Sequence, residues 1–230
     1  MPTKYSTKEL IAAYILDWVL PVLFVGTFLL TNSFLTPFNR RFSLEDTTIQ
    51  YPFAEHERVP IWLAFVIAVL LPAVIIAVIA LFFRRSVHDL HHGLLGLFLA
   101  VTLTIMVTEA IKTAVGRPRP DFIDRCQPKA GSQDDPIFGL SNSTICTQTD
   151  KYIMNDGYKS MPSGHSSTSF AGLGYLTFYL AGKLHIFDKK GHTYKSLLTT
   201  LPLIGAALIA ISRTQDYRHH WEDVTVGGLI

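Results

Sequence analysis

The feature that most constrains this chain is an unbroken run of 24 uncharged residues, 60–83, reading PIWLAFVIAVLLPAVIIAVIALFF. A helix rises about 1.5 Å per residue, so this run can cross a hydrocarbon core about 30 Å thick. Charged residues make up 17% of the chain, below the roughly one quarter that is typical of soluble domains. The formal net charge of +2 is too small to indicate a nucleic acid partner. The sequence therefore predicts a membrane-embedded protein.

Further apolar segments predict additional membrane-spanning helices at residues 12–31, 93–111, 163–182 and 196–212. The final residues, 224–230, resemble the first two turns of a sixth helix. Because seven residues cannot cross a bilayer, we expect the sixth helix to be truncated at the end of the chain. The predicted fold is all-α, a polytopic membrane bundle of six helices that forms one domain over residues 1–230.

Two acidic residues, Asp17 and Glu109, fall inside predicted spans. Ionisable residues within a membrane are functional candidates by default. Glu109 is one helical turn before Lys112 and can simply pair with it. The sequence leaves the roles of both acids open, and we assign neither of them to catalysis.

The connections between the spans predict the orientation of the chain. At one end, residues 1–11, 84–92 and 183–195 carry eight Lys or Arg against three acidic residues, whereas the other connections carry twelve against thirteen. The positive-inside rule then places the N-terminus in the cytoplasm. The long loop at residues 117–161 is expected to face a lumen or the exterior.

Two features of that loop favour the same side. Asn142-Ser143-Thr144 is a pattern for N-glycosylation, which is used only outside the cytosol. Both cysteines of the chain, Cys126 and Cys146, lie in the loop, where an oxidising lumen would allow a disulfide. The alternatives are an unused glycosylation pattern and two free thiols, and we favour the disulfide.

Two polar clusters lie at the start and end of this loop. Lys112 and Arg119 follow the third span, and the guanidinium of Arg119 is a planar fork that suits phosphate oxygens. Taken alone, these cations fit a basic flank that anchors a helix end better than they fit a phosphate site. Ser163, Gly164 and His165 open the fourth span, where the free amides of a helix start can bind an anion. The alternative for this second cluster is an ordinary helix cap with an incidental histidine.

A third cluster joins the fifth and sixth spans and contains Arg213, His219 and Asp223. His219 and Asp223 are four residues apart, so a helical turn would bring them to one face. A carboxylate that accepts the Nδ1 proton of His219 would leave Nε2 as a nucleophile. Alternatives are a plain polar turn, or a zinc site at His219, His220 and Asp223, which the divergence of adjacent histidines disfavours.

The predicted topology brings all three clusters to one membrane face. Together they supply three cations, a set of backbone amides and two histidines, which is a suitable environment for a tetrahedral phosphate dianion. Phosphoryl transfer requires a nucleophile, an acid at the leaving oxygen and positive charge around the remaining oxygens. The cations take the part that a metal ion plays elsewhere, so no metal and no other cofactor is expected.

These segments resemble the three-part signature of the type 2 phosphatidic acid phosphatase superfamily: Lys112-x6-Arg119-Pro120, Pro162-Ser163-Gly164-His165 and Ser212-Arg213-x5-His219-x3-Asp223. The superfamily includes the lipid phosphate phosphatases, and vanadate haloperoxidases share its site. The flanking stretches RPRPDFIDRCQP, PSGHSSTSFAGLGYL and GAALIAISRTQDYRHH are most similar to the fungal diacylglycerol pyrophosphate phosphatases. The resemblance covers roughly residues 50–230.

The resemblance implies a metal-independent hydrolase. His219 would form a phosphohistidine, Asp223 would orient it, and His165 would protonate the leaving group. The phosphoryl oxygens would be held by Lys112, Arg119, Arg213, Ser163 and Gly164. The implied substrates are diacylglycerol pyrophosphate, phosphatidate and lysophosphatidate, hydrolysed at the luminal face of the bilayer. The fungal resemblance favours a vacuolar membrane, with the Golgi and the plasma membrane as alternatives.

Two other functions are compatible with parts of the pattern. A membrane transporter would also contain charged residues near its helices, but its ionisable groups would be expected near the midplane rather than at one face. A lipid-binding relative of the same fold would lack turnover, which the intact set of His165, His219 and Asp223 disfavours. The sequence predicts a phospholipid in the bilayer as partner and leaves the oligomeric state open.

Overall fold

The computed structural model describes residues 7–186, 188 and 192–230. Within this part of the chain the fold is helical, with no β-strand and two isolated bridges, Phe42 with Ser141 and Pro128 with Cys146. The prediction of an all-α chain is confirmed at this level. Some of the basic residues used to predict the orientation, at 1–6 and 189–191, lie outside the described residues.

The long helices are α1 (Thr7–Phe34), α2 (Ile61–Phe83), α3 (Val87–Val115), α6 (Gly164–Leu184) and α7 (Thr193–Gln215). The short helices are α4 (Phe122–Cys126), α5 (Lys151–Gly157) and α8 (Trp221–Leu229). In α2, two π-helical segments, Val66–Leu70 and Ile79–Phe83, interrupt the α-helical hydrogen bonding. Two 3₁₀ turns, Thr47–Ile49 and Ser143–Ile145, lie in the connections.

Four of the described helices are long and apolar enough to cross a membrane. They are Ala12–Phe34, Ile61–Phe83, Val87–Val115 and Thr193–Gln215. These segments include the predicted spans at 12–31, 93–111 and 196–212 and nearly all of 60–83. Helix α6 covers most of the predicted span at 163–182 but is less apolar, because it begins with a serine-rich turn.

The bundle is organised around α6, which packs against α2, α3, α7 and α8. Ala68, Leu97 and Leu176 form part of the buried cluster between α2, α3 and α6. Gly172 permits the close approach of α6 to α2, since a Cβ at this position would overlap the carbonyl oxygen of Ala68. In contrast, α1 packs mainly on α3, and only 6% of its most apolar stretch is buried.

The two ends of the bundle differ in the length of their connections. Residues 35–60, 116–163 and 216–220, of which the first two are long connections, meet at one end, which we call the loop end. The opposite end contains the three-residue link 84–86 and the link between α6 and α7; we call it the short end. At the loop end, Phe42, Phe122 and Tyr158 form a separate buried cluster beneath the long loop. The predicted site residues all lie at the loop end.

Candidate active site

The first cationic side chains of the site come from the end of α3. Lys112 lies in its last turn, and Gly116 ends the helix in the left-handed conformation at φ 59°. A side chain at Gly116 would also overlap the carbonyl oxygen of Phe38, so the turn needs glycine for two reasons. Arg119 follows and is buried, with Nε donating to the carbonyl of Asp156 at 2.8 Å and Nη2 donating to its carboxylate at 2.8 Å.

The start of α6 lies directly beside Lys112. Ser163 is the N-cap, and its hydroxyl oxygen accepts from the amide of Ser166 at 3.5 Å. Gly164 and His165 are the first two helical residues, so their amides have no acceptor within the helix. A Cβ added to Gly164 would lie 3.3 Å from Nζ of Lys112. The ammonium group and the helix start therefore face the same small volume.

His219 lies beside these cations and is the potential nucleophile of the site. Its side chain is 4% exposed. Nδ1 donates to the carbonyl of Ser160 at 2.7 Å, because a carbonyl can only accept. Nε2 then carries the lone pair and accepts from Nη1 of Arg119 at 3.2 Å. This arrangement holds the neutral tautomer that a nucleophilic histidine needs.

The surroundings of His219 keep it neutral. Burial lowers its pKa well below the ordinary value of 6.5, and the charges of Arg119 and Lys112 together with His165 lower it further. The hydrogen bond to the Ser160 carbonyl acts in the opposite direction and does not compensate. His219 is consequently unprotonated at neutral pH, with Nε2 directed at a guanidinium that can hold a phosphate oxygen.

The expected direct pair between His219 and Asp223 is not found. Helix α8 begins at Trp221, so His219 lies before the helix and does not share a helical face with Asp223. Oδ2 of Asp223 instead accepts from the amide of His220 at 3.0 Å, lies 3.1 Å from its Nδ1, and accepts from the hydroxyl of Ser160 at 2.6 Å. The carboxylate of Asp223 therefore reaches His219 only through its neighbours.

The other two predicted groups already have protein partners. Nε2 of His165 donates to the carbonyl of Val59 at 3.1 Å. The guanidinium of Arg213 is 1% exposed and forms ion pairs with Glu57 at 2.9 Å and Asp216 at 2.7 Å. The connection between α1 and α2 thus covers both His165 and Arg213.

A network of buried and partly buried arginines and carboxylates surrounds the site. Asp156 forms ion pairs with Arg119 at 2.8 Å, Arg125 at 2.9 Å and Arg218 at 3.4 Å. Burial raises the pKa of Asp156, but the three arginines outweigh that effect and hold the pKa well below its ordinary value. Asp156 is therefore a permanent anion that fixes the position of Arg119.

Glu109 also differs from the prediction. It pairs with Lys159 at 2.5 Å rather than with Lys112, and Lys159 donates to Asn32 on α1 at 3.1 Å. A polar cavity of about 200 Å³ opens between these residues and is also lined by Lys112. The other acidic residue, Asp17, has an exposed side chain on α1 and lies outside the site.

Sequence reasoning missed several residues of the site. Arg117 lies within the first motif, between Lys112 and Arg119, but had no role assigned to it, and Ser160 lies two residues before the second motif. Glu57 and Asp156 belong to no pattern that we identified, and Arg218 lies inside the third motif with no role assigned to it. Arg117 forms an ion pair with Asp223 at 2.7 Å. These partners come from segments far apart in the chain, so only folding brings them together.

The long loop is stabilised near its start and end. Cys126 and Cys146 form a disulfide, and Cys126 is fully buried. Asn142 is exposed and begins the 3₁₀ turn, with its side-chain oxygen accepting from the amide of Thr144 at 2.9 Å. Within the described residues, no three metal-ligating side chains come close enough together to bind a metal ion.

The geometry assembles one potential nucleophile, one potential acid and several anion-binding groups at the loop end. Comparison with known proteins gives a consistent result. The model of the PAP2 superfamily matches residues 93–230, which include every signature residue. No solved structure matches the chain at a comparable level of significance.

Several named relatives match nearly the whole chain. Lipid phosphate phosphatase 2 of Arabidopsis thaliana is 44% identical over 217 residues, covering 93% of this chain and 72% of the relative. Diacylglycerol pyrophosphate phosphatase 1 of Saccharomyces cerevisiae is 44% identical over 197 residues, covering 84% and 68%. A probable diacylglycerol pyrophosphate phosphatase 1 of Schizosaccharomyces pombe is 43% identical, covering 85% and 69%. The resemblance inferred from the three motifs is confirmed, and the chain belongs to the PAP2 superfamily.

Proposed function

We propose that this protein is a metal-independent lipid phosphate phosphatase that acts through a phosphohistidine intermediate. The observation that carries the proposal is the contact between Nε2 of His219 and Nη1 of Arg119 at 3.2 Å. A neutral imidazole nitrogen with a lone pair lies beside a guanidinium that can hold a phosphate oxygen. That combination supports attack on phosphorus.

In the first step, Nε2 of His219 attacks phosphorus and the bond to the leaving oxygen breaks. His165 in its protonated, cationic form donates a proton to that oxygen and becomes neutral. The oxygen leaves as an alcohol when a phosphate monoester is cleaved, or as a phosphate monoester when a pyrophosphate is cleaved. In the second step, a water molecule attacks the phosphohistidine, His165 takes its proton, and the P–N bond breaks to release inorganic phosphate. This is general acid and base catalysis around a covalent intermediate.

The charge that develops on the phosphoryl oxygens is stabilised by fixed positive groups. These are Lys112, Arg119 and Arg213, together with the hydroxyl of Ser163 and the amide of Gly164. Because Asp156 holds Arg119 by two hydrogen bonds, the guanidinium needs little reorganisation when the charge appears. No step in this scheme requires a metal ion.

Substrate binding requires two exchanges at the connection between α1 and α2. The phosphate would replace Glu57 at Arg213, and the leaving oxygen would replace the Val59 carbonyl at His165. Both displaced groups lie within three residues of each other, so one movement of this segment can release both. Because the phosphate takes the place of the Glu57 carboxylate, the positive charge of Arg213 remains compensated.

The membrane setting favours a lipid substrate. Four described helices can cross a bilayer, and the site lies at their ends, where a lipid headgroup would lie. We propose α6 as a fifth span, since its 21 residues rise about 31 Å, and α8 as the start of a sixth. The preferred substrates in this proposal are diacylglycerol pyrophosphate, phosphatidate and lysophosphatidate. The site would face the lumen, with a vacuolar membrane as the favoured location.

The test is phosphate release by the purified chain from those three lipids in detergent micelles, with a chelator present. Turnover should persist in chelator, and vanadate should compete with the lipid because it mimics the trigonal-bipyramidal transition state. Glycerol 3-phosphate serves as the soluble control and should be a poorer substrate. Absence of release from every lipid phosphate would refute the proposal, as would activity that appears only after a metal ion is added.

A further inference from the structure

Ser160 is the only described residue that contacts both His219 and Asp223 through hydrogen bonds. It lies in the segment between α5 and α6, and its side chain is fully buried. Its carbonyl accepts from Nδ1 of His219 at 2.7 Å, and its hydroxyl donates to Oδ2 of Asp223 at 2.6 Å. The backbone carbonyl of Ser160 thus contacts His219 and its hydroxyl contacts Asp223, the two residues that were expected to contact each other directly.

Asp223 also binds the two segments that contain His219 and Arg117. The oxygen that accepts from Ser160 also accepts from the amide of His220, the residue next to His219, at 3.0 Å. The other carboxylate oxygen pairs with Arg117 at 2.7 Å, and the carbonyl of Arg117 accepts from the amide of Ser160 at 3.1 Å. Three segments are therefore joined around one buried carboxylate.

We propose that Ser160 is a positioning residue for the nucleophile, through which Asp223 controls the orientation of His219. The inference rests on the proposed function of His219. The Ser160 carbonyl selects the tautomer with a proton on Nδ1, and the hydroxyl bond to Asp223 fixes where that carbonyl lies. Without the hydroxyl, the carbonyl loses its support and Nε2 loses its alignment with the phosphorus. Small displacements of reacting groups reduce rates by up to about 10²-fold.

The central variant is Ser160→Ala, which removes the hydroxyl and retains the carbonyl. We expect kcat to fall by about 10-fold to 10²-fold, with KM nearly unchanged because Ser160 does not touch the substrate. Ser160→Thr keeps a hydroxyl and should restore most of kcat. Asp223→Asn also alters the contacts with Arg117 and His220, so only part of its effect passes through Ser160. That part should be absent when Ser160 is already alanine, and the combined effect of the two changes on kcat should therefore be smaller than the product of the single effects.

The chain offers a matched control for the loss of a buried hydrogen bond. Ser141 is also buried and donates to an aspartate, Oδ1 of Asp134, at 2.6 Å, in the long loop away from the histidines. Ser141→Ala should reduce thermal stability without lowering kcat. A purely structural role for Ser160 would instead give the two alanine variants similar kinetics. That result would overturn the proposal, and so would an unchanged kcat in Ser160→Ala. The proposal would also be overturned if the two losses of kcat multiply in the double variant.

A second measurement separates this proposal from the proposed function. ¹⁵N NMR of histidine-labelled protein in micelles reports the tautomer of His219, with its signals assigned by their absence in His219→Ala. The wild type should show the proton on Nδ1, and Ser160→Ala should show a smaller fraction of that tautomer. If no lipid phosphate is hydrolysed, the proposed function fails, but the tautomer comparison still decides the role of Ser160. An identical tautomer population in both proteins would overturn that role.

Discussion

The loop end and the short end of the bundle use charged residues in opposite ways. At the loop end, Arg119, Arg213 and Asp223 are buried and have protein partners at 2.7–2.9 Å. At the short end, Lys183 and Asp89 form an ion pair whose side chains retain 23% and 20% exposure. Burying an ion costs several kcal/mol unless good partners compensate. Among the described residues, every buried arginine, aspartate and glutamate lies at the loop end, which is also the end with the recognised motifs.

This difference predicts which substitutions should change turnover. A buried ion that loses its partner leaves an uncompensated charge, whereas a partly exposed ion is solvated by water. Changes at the loop end should therefore affect turnover strongly, and similar changes at the short end should leave it nearly intact. Pairs of equivalent substitutions at the two ends provide the sharpest tests.

The largest effect is expected for histidines. His219→Ala should abolish turnover, because no other described histidine forms a hydrogen bond with Arg119. His92→Ala at the short end removes a histidine that contacts His88 at 3.0 Å, and it should leave turnover unchanged. Phosphate release from phosphatidate measures both. Turnover like that of the wild type in His219→Ala would remove the nucleophile from the mechanism.

The next effect concerns arginine geometry. Arg119→Lys keeps the charge but loses the planar fork that binds Asp156 by two hydrogen bonds while it faces His219. We expect kcat/KM to fall by about 10²-fold or more. Arg84→Lys, an exposed position at the short end, is the control and should have no effect. Equal kinetics for the two lysine variants would contradict a role of Arg119 in binding the phosphoryl group.

The pKa of His219 predicts a pH dependence. Because burial and neighbouring cations keep this pKa well below 6.5, the nucleophile stays neutral in mildly acidic solution, and the acid limb of kcat/KM should lie below pH 6.5. The unfolded chain takes up a proton on His219 near pH 6.5 that the folded chain does not. The free energy of unfolding should therefore decrease as the pH falls below that value.

Thermal unfolding in detergent between pH 7.5 and pH 5 provides the measurement, with His219→Gln as the matched variant. The glutamine variant should lose less stability over this range, because the histidine that resists protonation is gone. Identical pH slopes for the two proteins would mean that His219 is as easily protonated when folded as when unfolded. An acid limb of the wild-type kcat/KM profile above pH 6.5 would contradict the neutral state of His219.

The sequence indicated most of the site, but it did not indicate how the parts are connected. Lys112, Gly164 and His219 could be recognised because their motifs are local, and apolar runs longer than a bilayer is thick predicted the spans around them. The role of Asp223 was only partly visible, because its geometry depends on α8 beginning at Trp221 rather than two residues earlier. Ser160 and Glu57 contact the site across more than 50 residues of sequence, and no periodicity reports such contacts.

The smallest effect is expected at the short end. Asp89→Asn weakens the pair with Lys183 and the hydrogen bond from Tyr179, and at this partial exposure it should cost at most about 1 kcal/mol of stability with no change in kcat. Asp156→Asn is the equivalent change at the loop end: the Asp156 side chain is 22% exposed, much like that of Asp89, but its loss of charge would leave three arginines short of one anion. It should lower both the unfolding temperature and kcat. If Asp89→Asn reduces kcat as much as Asp156→Asn does, then the charged residues of the two ends do not differ in their importance for turnover. The buried charges of the loop end would then serve stability alone.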